Sequence, residues 1–314
     1  MARVMVLKGG TSREREVSLK SGAAVAAALR EMGHEVEELD VGEDFLERLP
    51  GMAGKVDAAF LVLHGRGGED GTVQGALELA RIPYTGSGVL ASAAAMSKVM
   101  TKTIFRAEGI PVAADVVISR RDLDAQGLEM ISQGIGRDLG FPCIVKPDRE
   151  GSTVGVSVAH NLDELEKGLE EAFFLDELAL VEEYVSGREF TVGILGKEQM
   201  VLPVLEVRSS RGIYDYHCKY TTGMTDYLVP APLEEGTSGL LQELALRAHN
   251  ALRCEGVSRI DFIVEEGGRV CCLEANTLPG MTELSLIPKA AAAAGIDFHG
   301  VIRMILESAR LKTA

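Results

Sequence analysis

Two acidic residues at matched positions carry the sharpest chemical signal in the chain. Gly256 to Val264 (GVSRIDFIV) and Arg269 to Asn276 (RVCCLEAN) both alternate, with Gly267-Gly268 between them. Gly-Gly between two alternating runs predicts a two-residue hairpin. That loop sets Phe262 against Leu273, Ile260 against Ala275 and Val264 against Cys271, an apolar face. The opposite face sets Asp261 against Glu274 and Arg259 against Asn276. Two carboxylates directly opposed on paired strands repel. A hard divalent cation, which takes one or two carboxylates together with substrate phosphates, would offset the repulsion. Arg259 neutralising the pair on a solvated face would do so as well, and spacing alone leaves both open.

Phosphate chemistry is the second signal. Lys146 ends the apolar run FPCIVKP (141–147) and enters a loop, 148–155, that carries Gly151, Ser152, Thr153 and Gly155. Ammonium and backbone N–H groups in such a loop can hold a phosphate chain; an ordinary β-turn connection has the same composition. No Walker A pattern exists, because neither Gly54-Lys55 nor Gly196-Lys197 is followed by Ser or Thr. HGRGGEDG (64–71) misses G-x-G-x-x-G, since Asp70 occupies the last glycine position. Near the N-terminus Thr11 and Glu14 fit a capping box, which would account for Glu14 without a ligand. His64 ends a strand, a place where open α/β sheets bind ligands, although a lone histidine is more often structural.

The elements that must position these groups follow from apolar periodicity. Strands are expected at Arg3–Lys8, Glu35–Val41 and Ala58–Leu63. Helices are expected from the Gly9-Gly10 turn to about Met32 and near Val73–Ala80 and Val89–Met96. This alternation predicts an α/β doubly wound parallel sheet. A helix at 97–110 carries Lys98 and Lys102. Strands at 112–118, 141–146, 155–159 and 178–184, with helices near 122–132 and 161–174, predict a smaller α+β unit. Beyond it lie strands at 188–195 and 199–207, a polar Tyr-rich loop at 209–229, a helix at 234–253, the hairpin and two C-terminal helices. A loop of that length is more often functional than passive.

Composition bounds the partners. The chain has 314 residues with 32 Lys and Arg against 47 Asp and Glu, a formal charge of −15. An acidic surface argues against nucleic acid, which needs a basic face. Apolar runs are far too short for a spanning helix or a signal-peptide core. The five cysteines are odd in number and form no C-x-x-C, which argues against a disulfide framework or zinc site. A soluble, reduced, cytoplasmic protein is expected.

Seven stretches together resemble the ATP-grasp superfamily and, within it, the D-alanine–D-alanine ligase family. They are GGTSREREVSLKSG (9–22), LHGRGGEDGTVQGALELARIPYTGSG (63–88), IVKPDREGSTVGVS (144–157), EFTVGILG (189–196), YDYHCKY (214–220), SRIDFIV (258–264) and LEANTLPGMTELSLIP (273–288). The likeness spans nearly the whole chain in order. It implies a three-domain ATP-grasp fold: an N-terminal α/β domain over 1–97, a central subdomain over 98–186, and a C-terminal subdomain over 187–314 that carries the hairpin. It implies ATP-dependent joining of two D-alanine molecules, through an acyl phosphate, for peptidoglycan precursors, by a homodimer.

Residue by residue, the resemblance implies that Lys98 and Lys146 contact ATP phosphates, with Lys219 in the same mobile loop as Tyr220. Glu182, Glu183, Tyr184 and Val185 would hold adenine, and Glu189 the ribose. Asp261, Glu274 and Asn276 would bind Mg²⁺ or Mn²⁺, two ions in all. Glu14 would hold the ammonium of the first D-alanine, with Ser152 and Tyr220 linked to it by hydrogen bonds. Arg259 and the Gly280 N–H would form the oxyanion site. Ser285 and Leu286 would line the second D-alanine pocket, and His64 joins the substrate residues. Asp148, Thr153 and Leu278 depart from the family pattern, and Asp148 would set a negative charge near the triphosphate. Two other readings are a ligase making D-alanyl-D-lactate, against which Tyr220 speaks, and a non-catalytic nucleotide-binding regulator, against which the intact Arg259 and metal set speak.

Overall fold

Strands β1 (Arg3–Lys8), β2 (Glu35–Asp40) and β3 (Ala58–Leu61) form a parallel sheet in the order β2-β1-β3 in the computed structural model, which describes residues 1–151, 153–209 and 225–313. Helix α1 (Arg15–Glu31) connects β1 to β2; the short α2 (Phe45–Arg48) and a 3₁₀ turn over Leu49–Gly51 connect β2 to β3. Val25, Ala26 and Leu29 of α1 pack with Val4, Val6 and Phe60 on one face. On the other face α3 (Thr72–Leu79) packs Val73 and Leu77 with Met5, Leu7 and Leu61. Burial on both faces is why β1 and β3 read as apolar runs, whereas the edge strand β2 is largely acidic. The doubly wound expectation therefore holds for the described strands. Helix α4 (Val89–Met96) follows.

After α5 (Lys98–Ala107) comes a four-stranded antiparallel sheet in the order β4-β7-β5-β6. Its strands are β4 (Asp115–Ser119), β5 (Cys143–Pro147), β6 (Ser157–Ala159) and β7 (Leu178–Glu183). Helices α6 (Arg120–Gln126), α7 (Leu128–Asp138) and α8 (Leu162–Leu175) accompany it. The single helix expected at 122–132 is two, because Gly127 takes φ +83° and ends α6.

The remaining strands are β8 (Arg188–Leu195), β9 (Met200–Val201), β10 (Leu205–Ser209), β11 (Thr225–Leu228), β12 (Val257–Val264) and β13 (Val270–Asn276). They form a six-stranded sheet, β11-β10-β8-β12-β13, with β9 on β8. The strand expected at 199–207 is split around Pro203, which cannot donate to a ladder. The stretch expected as one loop at 209–229 contains β11, whose Thr225–Leu228 pair with β10. Its polar side chains hid it. Helix α9 (Glu235–Ala251) presses Leu241, Leu244, Ala245 and Ala248 against Phe190, Val192, Ile260 and Phe262. Helices α10 (Leu286–Ala293) and α11 (Phe298–Leu306) then return to the first sheet, where Ile287, Val301 and Ile302 share a core with Val4 and Val6.

The hairpin differs from expectation in its loop and register. The Glu265 N–H donates to the Arg269 carbonyl and Gly268 has φ +83°, so the loop has three residues, Glu266 to Gly268. A second shift falls between Asp261 and Phe262, so Phe262 opposes Cys272 and Val264 opposes Val270. Leu273 is the extra residue. The two shifts cancel in the half that matters: Arg259 faces Asn276, Ile260 faces Ala275 and Asp261 faces Glu274, as expected.

Candidate active site

A cavity of about 510 Å³ opens where the first sheet, the hairpin and the 148–151 loop converge. Glu14, His64, Lys98 and Arg259 line it. So do Glu274, Asn276, Gly280, Ser285 and Leu286, from β13 and the segment that follows. Residues far apart in sequence are thus brought to one space. Ser152, Lys219 and Tyr220 lie outside the described residues.

Glu14 does not cap α1. Its backbone N–H donates to Ser12 Oγ at 3.2 Å, and Ser12 Oγ donates to the His64 carbonyl at 2.6 Å, while the Glu14 side chain makes no capping bond. The capping-box expectation fails because α1 begins at Arg15, three residues later than that motif needs, so Glu14 stands at the N-cap position and not at N3. A Cβ on Gly151 would lie 2.9 Å from Glu14 Oε2, and one on Gly65 3.3 Å. The carboxylate therefore sits between two loops that reach it only because they carry glycine. Beside it, His64 is buried and its Nε2 has no hydrogen-bond partner among the described residues. Burial pushes its pKa down against the pull of Glu14, so the ring is neutral.

Asp261 is not among the residues that line the cavity and is held by its neighbours, two of which, Arg259 and Asn276, do line it. Arg259 donates to it through Nε at 2.9 Å and Nη2 at 2.7 Å, Thr191 Oγ1 at 2.6 Å and Asn276 Nδ2 at 3.1 Å. Glu274 faces it across the strand pair. Two carboxylates and an amide oxygen are hard donors suited to Mg²⁺ or Mn²⁺. Among the described residues no three His, Cys, Asp or Glu side chains gather as a metal cage.

Lys98 begins α5, where burial lowers its pKa and Glu274 opposes the shift. Its Nζ donates to the Glu150 carbonyl at 2.6 Å. Asp148 is buried and accepts from Ser97 Oγ and from the Val99 N–H, each at 2.9 Å. Its charge sits on the N-terminus of α5, a stabilising place for an anion, close to Lys98.

Lys146 and Glu182 lie outside the cavity lining and pair with each other. Glu182 also pairs with Lys102, which is 1% exposed and lies 3.0 Å from Asp115 Oδ1. Burial alone would raise the Glu182 pKa, but the two ammonium groups outweigh it and hold it at about 2. Glu183 turns away to accept from the Ala114 N–H at 2.8 Å and from Arg269, tying the two antiparallel sheets together. Val185 packs with Ala113 and Cys271, and the Tyr184 N–H bonds the Pro142 carbonyl at 3.3 Å. Glu189 lies mid-sheet, opposite Ile263 and Val207. Ser285 stands at the start of α10 and accepts from the Thr282 N–H at 3.0 Å, beside Gly280.

Two residues were missed from sequence. Glu69 lines the cavity and accepts from the Gly65 N–H at 2.7 Å. Burial, then the charge of Glu14, pushes its pKa up to about 8. HGRGGEDG drew attention for its glycines alone, so its acid passed unnoticed. Lys102 was noted only as a neighbour of Lys98; four residues apart on one helix puts both on one face.

Known proteins are similar along the whole length. The family model described as D-ala D-ala ligase C-terminus matches residues 104–307, and the one described as D-ala D-ala ligase N-terminus matches residues 38–87. A D-alanine–D-alanine ligase from Syntrophotalea carbinolica is 48% identical over 310 residues, 99% of this chain and 97% of that one. The crystal structure of D-alanine–D-alanine ligase from Bacillus anthracis has a TM-score of 0.85 at 35% identity, covering 98% and 97% of the two chains. The same enzyme complexed with ATP has a TM-score of 0.81 at 33% identity, covering 98% and 96%. With seven motifs in order, three sheets meeting at one cavity and these likenesses, the chain belongs to the D-alanine–D-alanine ligase family and has its ATP-grasp fold.

Proposed function

We propose that the chain uses ATP to join two D-alanine molecules into D-alanyl-D-alanine for peptidoglycan synthesis. The observation that carries this reading is the convergence on one cavity of an acid at one wall, Glu14, with Arg259, Glu274 and Asn276 at the other and Lys98 between. The division at 1–97, 98–186 and 187–314 is part of the reading, supported by each sheet arising from one contiguous stretch.

Glu14 faces the ammonium of the first D-alanine and orients its carboxylate. That carboxylate takes the γ-phosphoryl group of ATP, giving an acyl phosphate and ADP. Lys98 and Lys146 supply positive charge along the phosphates, and residues 182–185 with Glu189 form the nucleoside end. Asp261, Glu274 and Asn276 would hold one or two Mg²⁺ or Mn²⁺ ions, whose charge offsets that on the transferred group. The amine of the second D-alanine attacks the acyl carbon and phosphate leaves. Arg259 and the Gly280 N–H stabilise the oxyanion of the tetrahedral intermediate. The carboxylate of the second D-alanine fits the start of α10, where Ser285 and the Leu286 N–H favour an anion. The resemblance assigns Ser152 and Tyr220 to hydrogen bonds with Glu14, and Lys219 to the nucleotide. His64, neutral with an unpartnered Nε2, offers a hydrogen bond to substrate.

The test measures ADP and dipeptide with ATP and Mg²⁺, with and without D-alanine. ADP is expected to appear in step with dipeptide and only when D-alanine is present. Glu274→Gln is expected to reduce both at least a thousandfold, on the order of the loss of a major charge-stabilising group. ATP binding with neither ADP nor dipeptide formed overturns the reading in favour of a non-catalytic nucleotide-binding regulator. A Glu274→Gln rate within twofold of the unchanged chain overturns the metal set.

A further inference from the structure

The His64–Gly71 loop belongs to the first sheet and the Asp148–Gly151 loop to the four-stranded one, and a single arginine fastens them together. Arg66 Nε lies 2.9 Å from Glu150 Oε1. Its Nη2 donates to the Leu175 carbonyl at 3.0 Å and to Asp176 Oδ2 at 3.2 Å. Asp176 is buried between α8 and β7, and it also accepts from Arg149 Nη2 at 2.8 Å and from the Arg149 N–H at 2.9 Å. Burial would raise the Asp176 pKa, yet the bonds from Arg149 hold it below the usual range. One buried carboxylate is thus shared by an arginine of each loop.

What this network holds is the tip of the second loop. Glu150 is gripped through its side chain by Arg66 and through its carbonyl by Lys98 at 2.6 Å. The next residue, Gly151, closes against Glu14, a cavity residue. Arg66 itself does not line the cavity and is about half exposed on the outer side. Exposed ion pairs alone contribute little. This one differs because its guanidinium fork meets three acceptors on two elements, one of them fully buried, which an ammonium cannot match.

We propose that Arg66 is a positioning residue, a clasp that keeps Arg149–Gly151 shut over the first-substrate end of the cavity and so keeps water from the acyl phosphate. The inference rests on the reaction proposed above. Water reaching the intermediate would break the acyl phosphate to D-alanine and inorganic phosphate, after ADP had formed. ATP would then be consumed with no peptide bond made.

Arg66→Met, Arg66→Lys and the partner change Glu150→Gln test this by two readouts. The first is ADP formed per dipeptide, expected near unity in the unchanged chain. It should rise roughly twofold or more in Arg66→Met and Glu150→Gln as the site loses its cover, with Arg66→Lys between. The second is hydrogen exchange of the Arg149, Glu150 and Gly151 amides, expected to quicken roughly tenfold in Arg66→Met as local opening becomes easier. Faster exchange with an unchanged ratio overturns the water-excluding role. A raised ratio with unchanged exchange overturns the clasp, and no change in either overturns both. If the unchanged chain makes ADP and no dipeptide, the proposed reaction fails, and the exchange readout still decides whether Arg66 holds the loop.

Discussion

Glu69 and Glu182 both keep their carboxyl groups out of bulk water, and at neutral pH one is protonated and the other charged. Glu69 has a backbone N–H from Gly65 and the repelling charge of Glu14, and its pKa is pushed up to about 8. Glu182 has Lys102 and Lys146, and its pKa is held at about 2. Burial acts in the same direction on both, so the charged partners decide. A third acid, Asp261, is partnered in another way. It is shared among Arg259, Thr191 and Asn276 with its side chain 18% exposed, and of these partners Arg259 and Asn276 line the cavity. A sealed cluster such as that of Glu182 holds its members in place, whereas one at a cavity wall can exchange partners with a ligand.

Removing the acid from the sealed cluster is expected to have the largest effect. Glu182→Gln takes from Lys146 its paired carboxylate and leaves Lys102 with Asp115 alone, at a cost of about 3–5 kcal/mol. Thermal unfolding at pH 7 should fall by roughly 10 °C. Since the folded pKa is below the ordinary 4.5, this contribution is present above pH 4.5 and is lost as pH falls towards 2. A melting temperature within 1–2 °C of the unchanged chain, roughly half a kcal/mol, would show that the pair is not worth its desolvation.

At the cavity wall the effect should fall on rate instead of stability. Arg259→Met is expected to lower kcat on the order of 10²–10³ while the melting temperature changes little. If only the KM for ATP rises, Arg259 binds nucleotide and the oxyanion role is wrong.

At Glu69 the expected effect is least near pH 5, grows with pH and has the opposite sign. Its proton stays on the folded chain up to about pH 8 but leaves the unfolded chain near 4.5, so stability falls as pH rises through that window. Glu69→Gln removes the dependence. Its melting temperature should match the unchanged chain near pH 5 and exceed it increasingly towards pH 8, at most by roughly 1.4 kcal/mol per pH unit. A gap that shrinks with rising pH would place the charge of Glu69 on a cation instead.

Much of this molecule was legible before its fold was known. Apolar periodicity located β1, β8 and α4 to the residue, because each buries a contiguous or strictly spaced set of side chains. Opposed acids at Asp261 and Glu274 followed from alternation about one glycine-rich turn, a short-range relation that survived even a wrong loop length. The motifs identified the family because each is a local string of glycines, acids and cations whose order is kept.

Other features lay beyond any local pattern. A capping-box spelling at Thr11 and Glu14 is local, but the Glu14 side chain answers to Gly65 and Gly151, from distant loops. Asp148 reads as a charge beside a phosphate loop, and the groups that hold it are at the start of α5, some fifty residues earlier in the chain. Glu69 and Glu182 are the same residue type with opposite protonation, set by burial and Glu14 in one case and by Lys102 and Lys146 against burial in the other. Spacing along the chain reports which side chains share a strand or helix face, because those distances are fixed by backbone geometry. Charge state and partnership depend on burial and on groups brought in from other elements, so they exist only once the three sheets have packed together.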